Sequence, residues 1–269
     1  MIPQSTPRHY LMCRPEHFAV EYAINPWMDL DVPVDRDRAL RQWDTLRQTY
    51  IDLGHHVEEI QPLPDLPDMV FAANGGLVID GAFYTASFHN PEREAEGPAY
   101  RAWFERAGFV RLHDAKSINE GEGDLLCAGP YILAGTGFRT SMAAHQEVQE
   151  LFGRPVITLQ LVDPRYYHLD TALCVLDSRT IAYYPPAFSP GSISILHRLF
   201  PDAVVASAAD AAAFGLNAVS DGRNVVMSAQ ATGLAGQLVR RGYRPVPVDM
   251  SELMKAGGGA KCCTLEIRS

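Results

Sequence analysis

The chain has 269 residues, of which 47% are apolar and 20% charged, and its formal charge at pH 7 is −9. These totals are typical of a soluble globular protein, and the acidic balance argues against a nucleic acid as its partner. No apolar run approaches the roughly 18 residues of a membrane span, and residues 1–10 carry no signal-peptide pattern.

The cysteines favour a reduced protein. They are odd in number, unevenly spaced and form no CxxC pair: Cys13, Cys127, Cys174, Cys262 and Cys263. We therefore expect a cytoplasmic location, no disulfide framework and no zinc or redox site.

Short helices are predicted along the whole chain. The clearest covers residues 34–54, where Trp43, Leu46 and Tyr50 fall on one face. In chain order, the predicted helices cover residues 34–54, 94–107, 141–152, 192–200, 208–214 and 234–241, with one helical turn at 251–255.

Strands are predicted between these helices from apolar runs bounded by turn residues. In chain order, they cover residues 10–14, 68–74, 76–88, 109–113, 124–136, 156–162, 171–184, 217–228, 244–248 and 260–267. Hairpin turns are predicted inside four of these segments, at 80–81, 129–130, 177–179 and 221–222, where glycine, proline or aspartate residues cluster.

Units of strands with one helix recur about every 50 residues, roughly five times, without a repeat at the level of residues. No linker, charge run or low-complexity tract divides the chain. We expect one domain, residues 1–269, of mixed α and β structure. The pattern is compatible with closure into a propeller.

Cys262 is a candidate nucleophile because it follows Gly257, Gly258 and Gly259, whose backbone can approach a substrate closely. In a strand, Cys262 and Cys263 point to opposite faces, so one can face a pocket and the other the core. The bland alternative is that each cysteine is a buried small hydrophobe.

His168 and Asp170 form a second candidate pair. If the segment is extended, residues two apart share a face. A lone histidine is nevertheless more often a structural residue than a catalyst, so this pattern alone is weak.

Other polar residues admit structural explanations. Residues 119–124 carry three acids among glycines, which is typical of a solvated turn but also suits a carboxylate beside a cationic substrate. Asp68 and Asn74 bracket an apolar run, where capping or turn chemistry explains them. Arg93 and Arg139, taken singly, are typical surface residues.

Together these segments resemble the guanidine-modifying superfamily of arginine deiminases, dimethylarginine hydrolases and amidinotransferases. The resemblance runs from Met12 nearly to the end of the chain. It rests on LPDMVFAANGG, NEGEGD, GFRTS, YHLDT, YYPPAF and KAGGGAKCCTLEI. INPWMD, FHNPERE and YYPPAF look closest to the arginine dihydrolase branch, whereas the double cysteine and MSELMK also look like the dimethylarginine hydrolases.

The resemblance implies a five-bladed α/β propeller with pseudo-fivefold symmetry. It implies that Cys262 is the nucleophile and that Cys263 is its structural neighbour. It also implies that His168 moves protons and that Glu120 is the acidic member of the triad. Because this chain has an extra residue in the acidic segment, Glu122 is the alternative.

The remaining site residues also come from the resemblance. Asp68 and Asp170 match acids that bind the guanidinium, and Arg93 and Arg139 match residues that hold the substrate carboxylate. Asn74 matches an asparagine of the dihydrolases, where deiminases and dimethylarginine hydrolases tend to carry aspartate. The implied partner is a small guanidino substrate, with no metal or organic cofactor, no nucleic acid or membrane partner, and a homo-oligomer as in many relatives.

The function predicted at this point is hydrolysis of arginine to ornithine, carbon dioxide and two ammonia through a covalent amidino-thioether. A neutral Asn74 could hold the ureido group of citrulline as donor and acceptor. The alternatives are a dimethylarginine hydrolase or a deiminase giving citrulline, an amidinotransferase, and a non-catalytic propeller, which would lack the cysteine and histidine.

Overall fold

In a computed structural model, which describes residues 3–269, helices and strands alternate along the chain. The helices α1 to α7 cover Arg36–Asp52, Glu96–Arg106, Met142–Phe152, Leu169–Ala172, Pro190–Leu199, Ala208–Ala212 and Thr232–Arg240. The strands β1 to β15 cover His9–Cys13, His56–Ile60, Gly76–Ile79, Ala82–Thr85, Arg111–His113, Leu125–Ala128, Tyr131–Thr136, Val156–Gln160, Leu173–Val175, Ile181–Tyr183, Val204–Val205, Val219–Ser220, Asn224–Ser228, Arg244–Val248 and Leu265–Glu266.

The strands form five three-stranded sheets with one internal pattern, in which the middle strand has an antiparallel neighbour and a parallel neighbour. Four sheets have consecutive strands, β3-β4-β5, β6-β7-β8, β9-β10-β11 and β12-β13-β14. The fifth has the order β15-β1-β2, so the end of the chain completes the sheet that the beginning opens. The predicted mixed α/β fold is confirmed.

The parallel pairs require crossover connections, and helices supply them. In α1, the fully buried Ala39, Trp43, Leu46 and Tyr50 follow one another at spacings that keep them on one face. The Asp35 side chain caps this helix by accepting a hydrogen bond from the Arg38 amide at 2.9 Å. The helix predicted over residues 34–54 is therefore observed, slightly shortened at both ends.

The predicted hairpins are observed where turn residues marked them. Asp80 and Gly81, which join β3 to β4, both have positive φ, 51° and 70°. Two such residues match the right-handed twist of an antiparallel pair. The turn between β6 and β7 likewise contains Gly129, with φ of 58°.

The prediction of a strand over residues 68–74 is wrong. This segment forms two 3-10 turns, Pro67–Val70 and Ala72–Gly75. Some of its amides donate hydrogen bonds within the segment, as the Phe71 amide does to the Asp68 carbonyl. The Ala73 amide instead donates to the Cys262 carbonyl, in the turn before β15, at 3.0 Å. Proline at the first position pre-forms the turn, and apolar residues here serve burial rather than a β-ladder.

Two further strand predictions are partly wrong. The segment 171–184 begins inside the short helix α4, whose first residue follows His168, so His168 and Asp170 do not lie on an extended strand. In segment 260–267 only Leu265–Glu266 is a strand, and both adjacent cysteines lie in a turn. In both places, backbone groups bond locally near the site instead of to a neighbouring strand.

Neighbouring sheets contact one another through the edge strand that is antiparallel to the middle strand of each sheet. β15 contacts β3, β6 contacts β9, and β9 contacts β12, while the 3-10 turn Gly121–Gly123 contacts both β3 and β6. Trp43, Tyr50, Tyr100 and Phe104 are among the fully buried side chains packed between helices and sheets. Within residues 3–269, no helix combines the length and apolar character that a bilayer span requires.

Candidate active site

Cys262 lies in the turn before β15, and the residue is only 2% exposed. Gly257, at the start of this loop, has φ of 83°, which is the left-handed region that favours glycine. A Cβ atom on Gly258 would collide with the ring of Phe71. The glycines therefore allow the loop to reverse and to press against the 3-10 turns, which places the thiol in the interior.

The Cys262 thiol has two polar neighbours. It donates to Asp170 Oδ2 at 3.2 Å, and it accepts from Asn217 Nδ2 at 3.0 Å. Burial and the nearby Asp170 carboxylate raise the pKa of Cys262 well above its ordinary value. A cation bound beside the sulfur would oppose both effects and favour the thiolate.

Cys263 has different surroundings. It is fully buried in the apolar cluster of Trp43 and Leu253, which also includes Cys262, so the difference lies in its polar neighbours. Burial raises the pKa of its thiol as well. Among the contacts of residues 3–269, its side chain has no hydrogen bond to a polar group, so its environment is that of a packing residue.

His168 and Glu120 are directly paired. His168 Nε2 lies 2.6 Å from Glu120 Oε2, and both residues are buried. Burial raises the pKa of Glu120, but the Arg139 guanidinium and the His168 hydrogen bond outweigh it and hold the pKa well below the ordinary value. The ionised Glu120 carboxylate accepts a hydrogen bond from the Nε2–H group, which leaves Nδ1 as the atom that can exchange a proton with a substrate.

Three buried polar atoms of the site lack a hydrogen-bond partner: Asp68 Oδ1, Asp170 Oδ1 and His168 Nδ1. The second oxygen of Asp68 accepts from the Tyr22 hydroxyl at 3.0 Å. Burial raises the pKa of Asp68, and it raises that of Asp170 to about 6. Unpartnered buried carboxylate oxygens are costly, and a planar cationic donor would satisfy them.

Arg93 and Asn74 hold one wall of the site. Arg93 donates twice to Glu96, each time at 2.8 Å, and its Nη1 donates to Asn74 Oδ1 at 2.9 Å. Asn74 Nδ2 in turn reaches the Glu120 carbonyl at 3.4 Å. The polar atoms of Asn74 are thus engaged by protein groups, and the guanidinium of Arg93 faces a carboxylate of the chain itself.

Arg139 connects the acidic pair to the loop at residues 14–35. Its Nη1 donates to Glu120 Oε2 at 3.1 Å and its Nη2 to the Ile24 carbonyl at 2.7 Å. The guanidinium carbon also lies 4.7 Å from the centre of the Tyr167 ring, a cation–π arrangement. Removing this arginine would therefore disturb both the charge of Glu120 and the position of the loop.

The structure distinguishes the two candidate acids of the segment 119–124. Glu120 lies beside His168, whereas Glu122 Oε2 accepts from Lys261 Nζ at 2.7 Å and its other oxygen from Arg268. Glu122 thus belongs to a separate ion-pair cluster under the end of the chain. The geometry favours Glu120 as the partner of the histidine.

Sequence reasoning missed Asn217. This residue is 1% exposed, and its Oδ1 accepts from the amides of Gly259 and Cys262 at 3.0 and 3.1 Å. Its Nδ2 donates to the Cys262 sulfur and to the Asp170 carbonyl. One side chain therefore fixes the loop that carries Cys262. No local sequence pattern marks Asn217, because every partner is distant in the chain.

The site is closed in this structure. Tyr22 from the loop at 14–35 covers Asp68, and Asn25 donates to the Ala256 carbonyl at 3.1 Å. A separate cavity of about 240 Å³ is lined by Tyr10, Cys174 and Lys261 among others, and by none of the predicted site residues.

Searches with protein-family models find no match to this chain. A curated relative, the N(G),N(G)-dimethylarginine dimethylaminohydrolase of Mycobacterium tuberculosis, is 55% identical over 97% of this chain and 86% of its own length. The bifunctional arginine dihydrolase/ornithine cyclodeaminase ArgZ of Synechocystis sp. is 36% identical over 96% of this chain, which corresponds to 37% of that longer protein.

Solved structures agree with these relatives. The N-terminal domain of the dihydrolase ArgZ, a cysteine-to-serine mutant bound to its substrate, superposes with a TM-score of 0.93 at 35% identity, covering 97% of this chain and 98% of that chain. A dimethylarginine dimethylaminohydrolase adduct with 4-chloro-2-hydroxymethylpyridine gives a TM-score of 0.80 at 18% identity over 97% of this chain and 100% of that one, which shows a common fold.

Proposed function

The chain belongs to the guanidine-modifying superfamily and is a hydrolase acting on guanidino groups, and from this premise we propose that it hydrolyses an arginine-type guanidinium with Cys262 as nucleophile. The observation that carries the proposal is the set of unpartnered buried atoms on Asp68, Asp170 and His168, of which Asp170 also contacts the Cys262 thiol through its other carboxylate oxygen. A guanidinium has the charge, the planar shape and the donors to satisfy the two carboxylates together.

The first half-reaction forms a covalent adduct. Binding of the cation beside Cys262 favours its thiolate, and the thiol proton passes to His168 Nδ1. The sulfur then attacks the central guanidinium carbon to form a C–S bond. As the C–N bond to the departing amine breaks, His168 Nδ1 gives that nitrogen a proton, while Glu120 stabilises the charged imidazole.

The second half-reaction releases the product. Water attacks the carbon of the amidino-thioether and gives one proton to His168 Nδ1. The C–S bond then breaks, and the proton of the added hydroxyl group goes to the departing Cys262 sulfur, which leaves the thiol and a ureido product, citrulline. In support of a covalent route, a variant of the ArgZ N-terminal domain has been solved covalently bound to a reaction intermediate. Neither half-reaction, as written, has a step that involves a metal or organic cofactor.

For the substrate we propose a dimethylated arginine, which gives citrulline and dimethylamine. The relative with 55% identity over nearly the whole chain carries that activity in its name. This is the alternative of the sequence analysis rather than its main prediction. The engagement of both polar ends of Asn74 by Arg93 and by the Glu120 backbone also weakens the argument that Asn74 is free to hold a ureido group.

A second candidate is arginine dihydrolysis to ornithine, carbon dioxide and two ammonia. It is favoured by the high similarity to the ArgZ domain and by the neutral side chain at Asn74. In that reaction the same thiolate attacks the ureido carbon of citrulline a second time. The roles of Arg93 and Arg139 in holding the substrate carboxylate stay predictions in either case.

The test is a product analysis. The purified protein is incubated separately with asymmetric dimethylarginine, arginine and citrulline, and dimethylamine, ammonia, citrulline and ornithine are quantified. Dimethylamine and citrulline in equal amounts from dimethylarginine, with arginine inert, support the proposal. Two ammonia and one ornithine per arginine transfer the assignment to the dihydrolase, and one ammonia with one citrulline transfers it to a deiminase.

A variant separates the two main candidates further. Asn74→Asp should leave dimethylarginine hydrolysis operating if aspartate is the ordinary residue of that activity. If the wild type instead releases ornithine, the same substitution should stop the reaction at citrulline, because an ionised carboxylate holds a neutral ureido group less well.

We further propose that the five sheets close into a five-bladed propeller and that residues 1–269 form one catalytic domain. Contacts between the edge strands of neighbouring sheets, such as β6 with β9, support this arrangement. Helix α1, which joins β1 to β2, also contacts β14 and so links the sheet β12-β13-β14 to the sheet β15-β1-β2. A cytoplasmic location and assembly into a homo-oligomer stay predictions.

A further inference from the structure

A cluster of two histidines and one glutamate lies on a partly exposed face of the sheet β15-β1-β2. His9 on β1 and His56 on β2 are direct partners in the parallel register. Glu58 follows His56 by two residues and therefore projects from the same face of β2. Residues from two strands thus converge, although 47 positions separate the two histidines.

We propose that His9, His56 and Glu58 form a binding site for a divalent transition-metal ion, with Zn²⁺ as the ion that the donors fit. Two imidazoles and one carboxylate are a common zinc ligand set, and a water molecule would complete a tetrahedron. The site is separate from the predicted catalytic residues, and no local sequence motif marks it, because its ligands come from two strands that are distant in the chain.

The distances suit an ion of this kind. His9 Nε2 lies 2.7 Å and His56 Nε2 3.8 Å from the same oxygen, Glu58 Oε1. One possible ligand atom from each residue lies within 4.8 Å of the other two. Ligands of a tetrahedral zinc ion, at about 2.0–2.2 Å from the metal, are roughly 3.4 Å apart, so small rotations would bring the three atoms to the required spacing.

The exposure of the three side chains allows those rotations and gives an ion access. The side chains of His9, Glu58 and His56 are 34%, 40% and 67% exposed. The two imidazole rings already lie side by side, with their centres 4.5 Å apart.

A bound ion would join β1 to β2 at the sheet that the end of the chain completes. The carbonyl of His9 accepts a hydrogen bond from the Ile267 amide at 2.8 Å, directly after β15. We therefore expect the ion to stabilise this sheet against unfolding, by mass action, without entering the chemistry at Cys262.

The test is metal binding by the full chain. Metal-free protein is titrated with ZnCl₂ by calorimetry and with CoCl₂ by visible absorption, and thermal unfolding is measured with and without ZnCl₂. We expect one site per chain, a Co²⁺ spectrum without a thiolate charge-transfer band, and a higher Tm with zinc. The His56→Ala variant removes a side chain that is largely exposed, so it should fold normally. Because His56 would be a direct ligand, the variant should lose more zinc affinity than the roughly 10- to 100-fold typical of losing an outer-shell partner.

Two control variants make the result decisive. His197→Ala removes an exposed histidine on α5 and should bind zinc like the wild type, while Cys262→Ser removes the thiol of the catalytic site and should retain the same affinity. Binding lost in Cys262→Ser but kept in His56→Ala would place the ion at the catalytic thiol and overturn the proposal. Absence of saturable binding in the wild type would reduce the cluster to a surface ion pair and also overturn it.

Discussion

At the scale of single residues, we propose different roles for the two adjacent cysteines, Cys262 as the nucleophile and Cys263 as a packing residue. Cys262→Ser should lower kcat by more than about a thousandfold, because the attacking atom is lost. Cys263→Ser should leave kcat largely unchanged and lower the free energy of unfolding by about 1–3 kcal/mol, because a hydroxyl replaces a buried thiol in an apolar cluster. Steady-state assays and urea unfolding measure both quantities. Full activity in Cys262→Ser would exclude it as the nucleophile.

The two neighbouring glutamates are separable in the same way. Glu120→Gln should reduce kcat by about 10²–10⁴, since it removes the charge that supports His168, and it should also lower stability because Arg139 loses its buried partner. Glu122→Gln should keep kcat but cost about 3 kcal/mol of stability, because Lys261 and Arg268 lose their buried partner. Kinetics and denaturant unfolding of both variants decide the matter, and a catalytic defect confined to Glu122→Gln would reverse the assignment.

The raised pKa of Asp170 predicts that the stability of the unliganded protein depends on pH. Burial raises its folded-state pKa to about 6 from an ordinary value of 3.8. The folded state therefore binds the proton more tightly, and the resulting stabilisation is complete below about pH 4 and is lost as the pH rises through about 6. The loss amounts to about 3 kcal/mol at most.

The measurement for Asp170 is the difference in Tm between wild type and Asp170→Asn from pH 4 to 7. The wild type should lose stability relative to the variant across this range, because asparagine does not titrate. A difference that stays constant with pH would contradict the raised pKa.

The sequence predicted only those residues of the candidate site that lie in segments resembling known family motifs. The resemblance identified Cys262, His168 and Asp170, which the structure brings close together. It left Glu120 and Glu122 open, since an inserted residue shifts the motif and only the side-chain direction separates them. Asn217 was missed because its role depends on four contacts to distant parts of the chain.

At the scale of elements, the glycine loop before Cys262 has no room for a side chain at Gly258, because the ring of Phe71 lies against it. Gly258→Ala should shift the loop or Phe71 and lower kcat/KM by at least about tenfold, since a displacement near 1 Å at a reacting group has a large cost. Gly191→Ala in α5 is the matched control, because a Cβ atom there meets nothing within 4 Å. It should keep activity and raise stability by up to about 1 kcal/mol. Equal activity in the two variants would show that the loop has room to spare.

Elements with a repeating apolar pattern were predictable, and elements shaped by the site were not. Helix α1 and the hairpin at Asp80 follow from local periodicity and turn chemistry. The segments 68–74 and 260–267 contain equally apolar residues, but their amides bond within turns and to one another, as Ala73 does to the carbonyl of Cys262. Such pairing depends on tertiary contacts that periodicity does not encode.

At the scale of the whole molecule, the pairing of β15 with β1 unites the two ends of the chain in one sheet. Removing residues 264–269 should prevent stable folding, because Leu265 and Ile267 are buried and each contributes about 1.5–3 kcal/mol. Removing Ser269 alone, which is exposed, is the control and should change little. Circular dichroism and gel filtration distinguish the outcomes, and a folded, monodisperse protein lacking 264–269 would contradict the importance of this closure.

The same closure has a consequence for biosynthesis. β15 and the loop that carries Cys262 are translated after their partners, β1 and the turns around Asp68. The edge of β1 therefore stays unpaired until residue 266 emerges from the exit tunnel. During that interval, β1 is the segment that a ribosome-associated chaperone would need to shield.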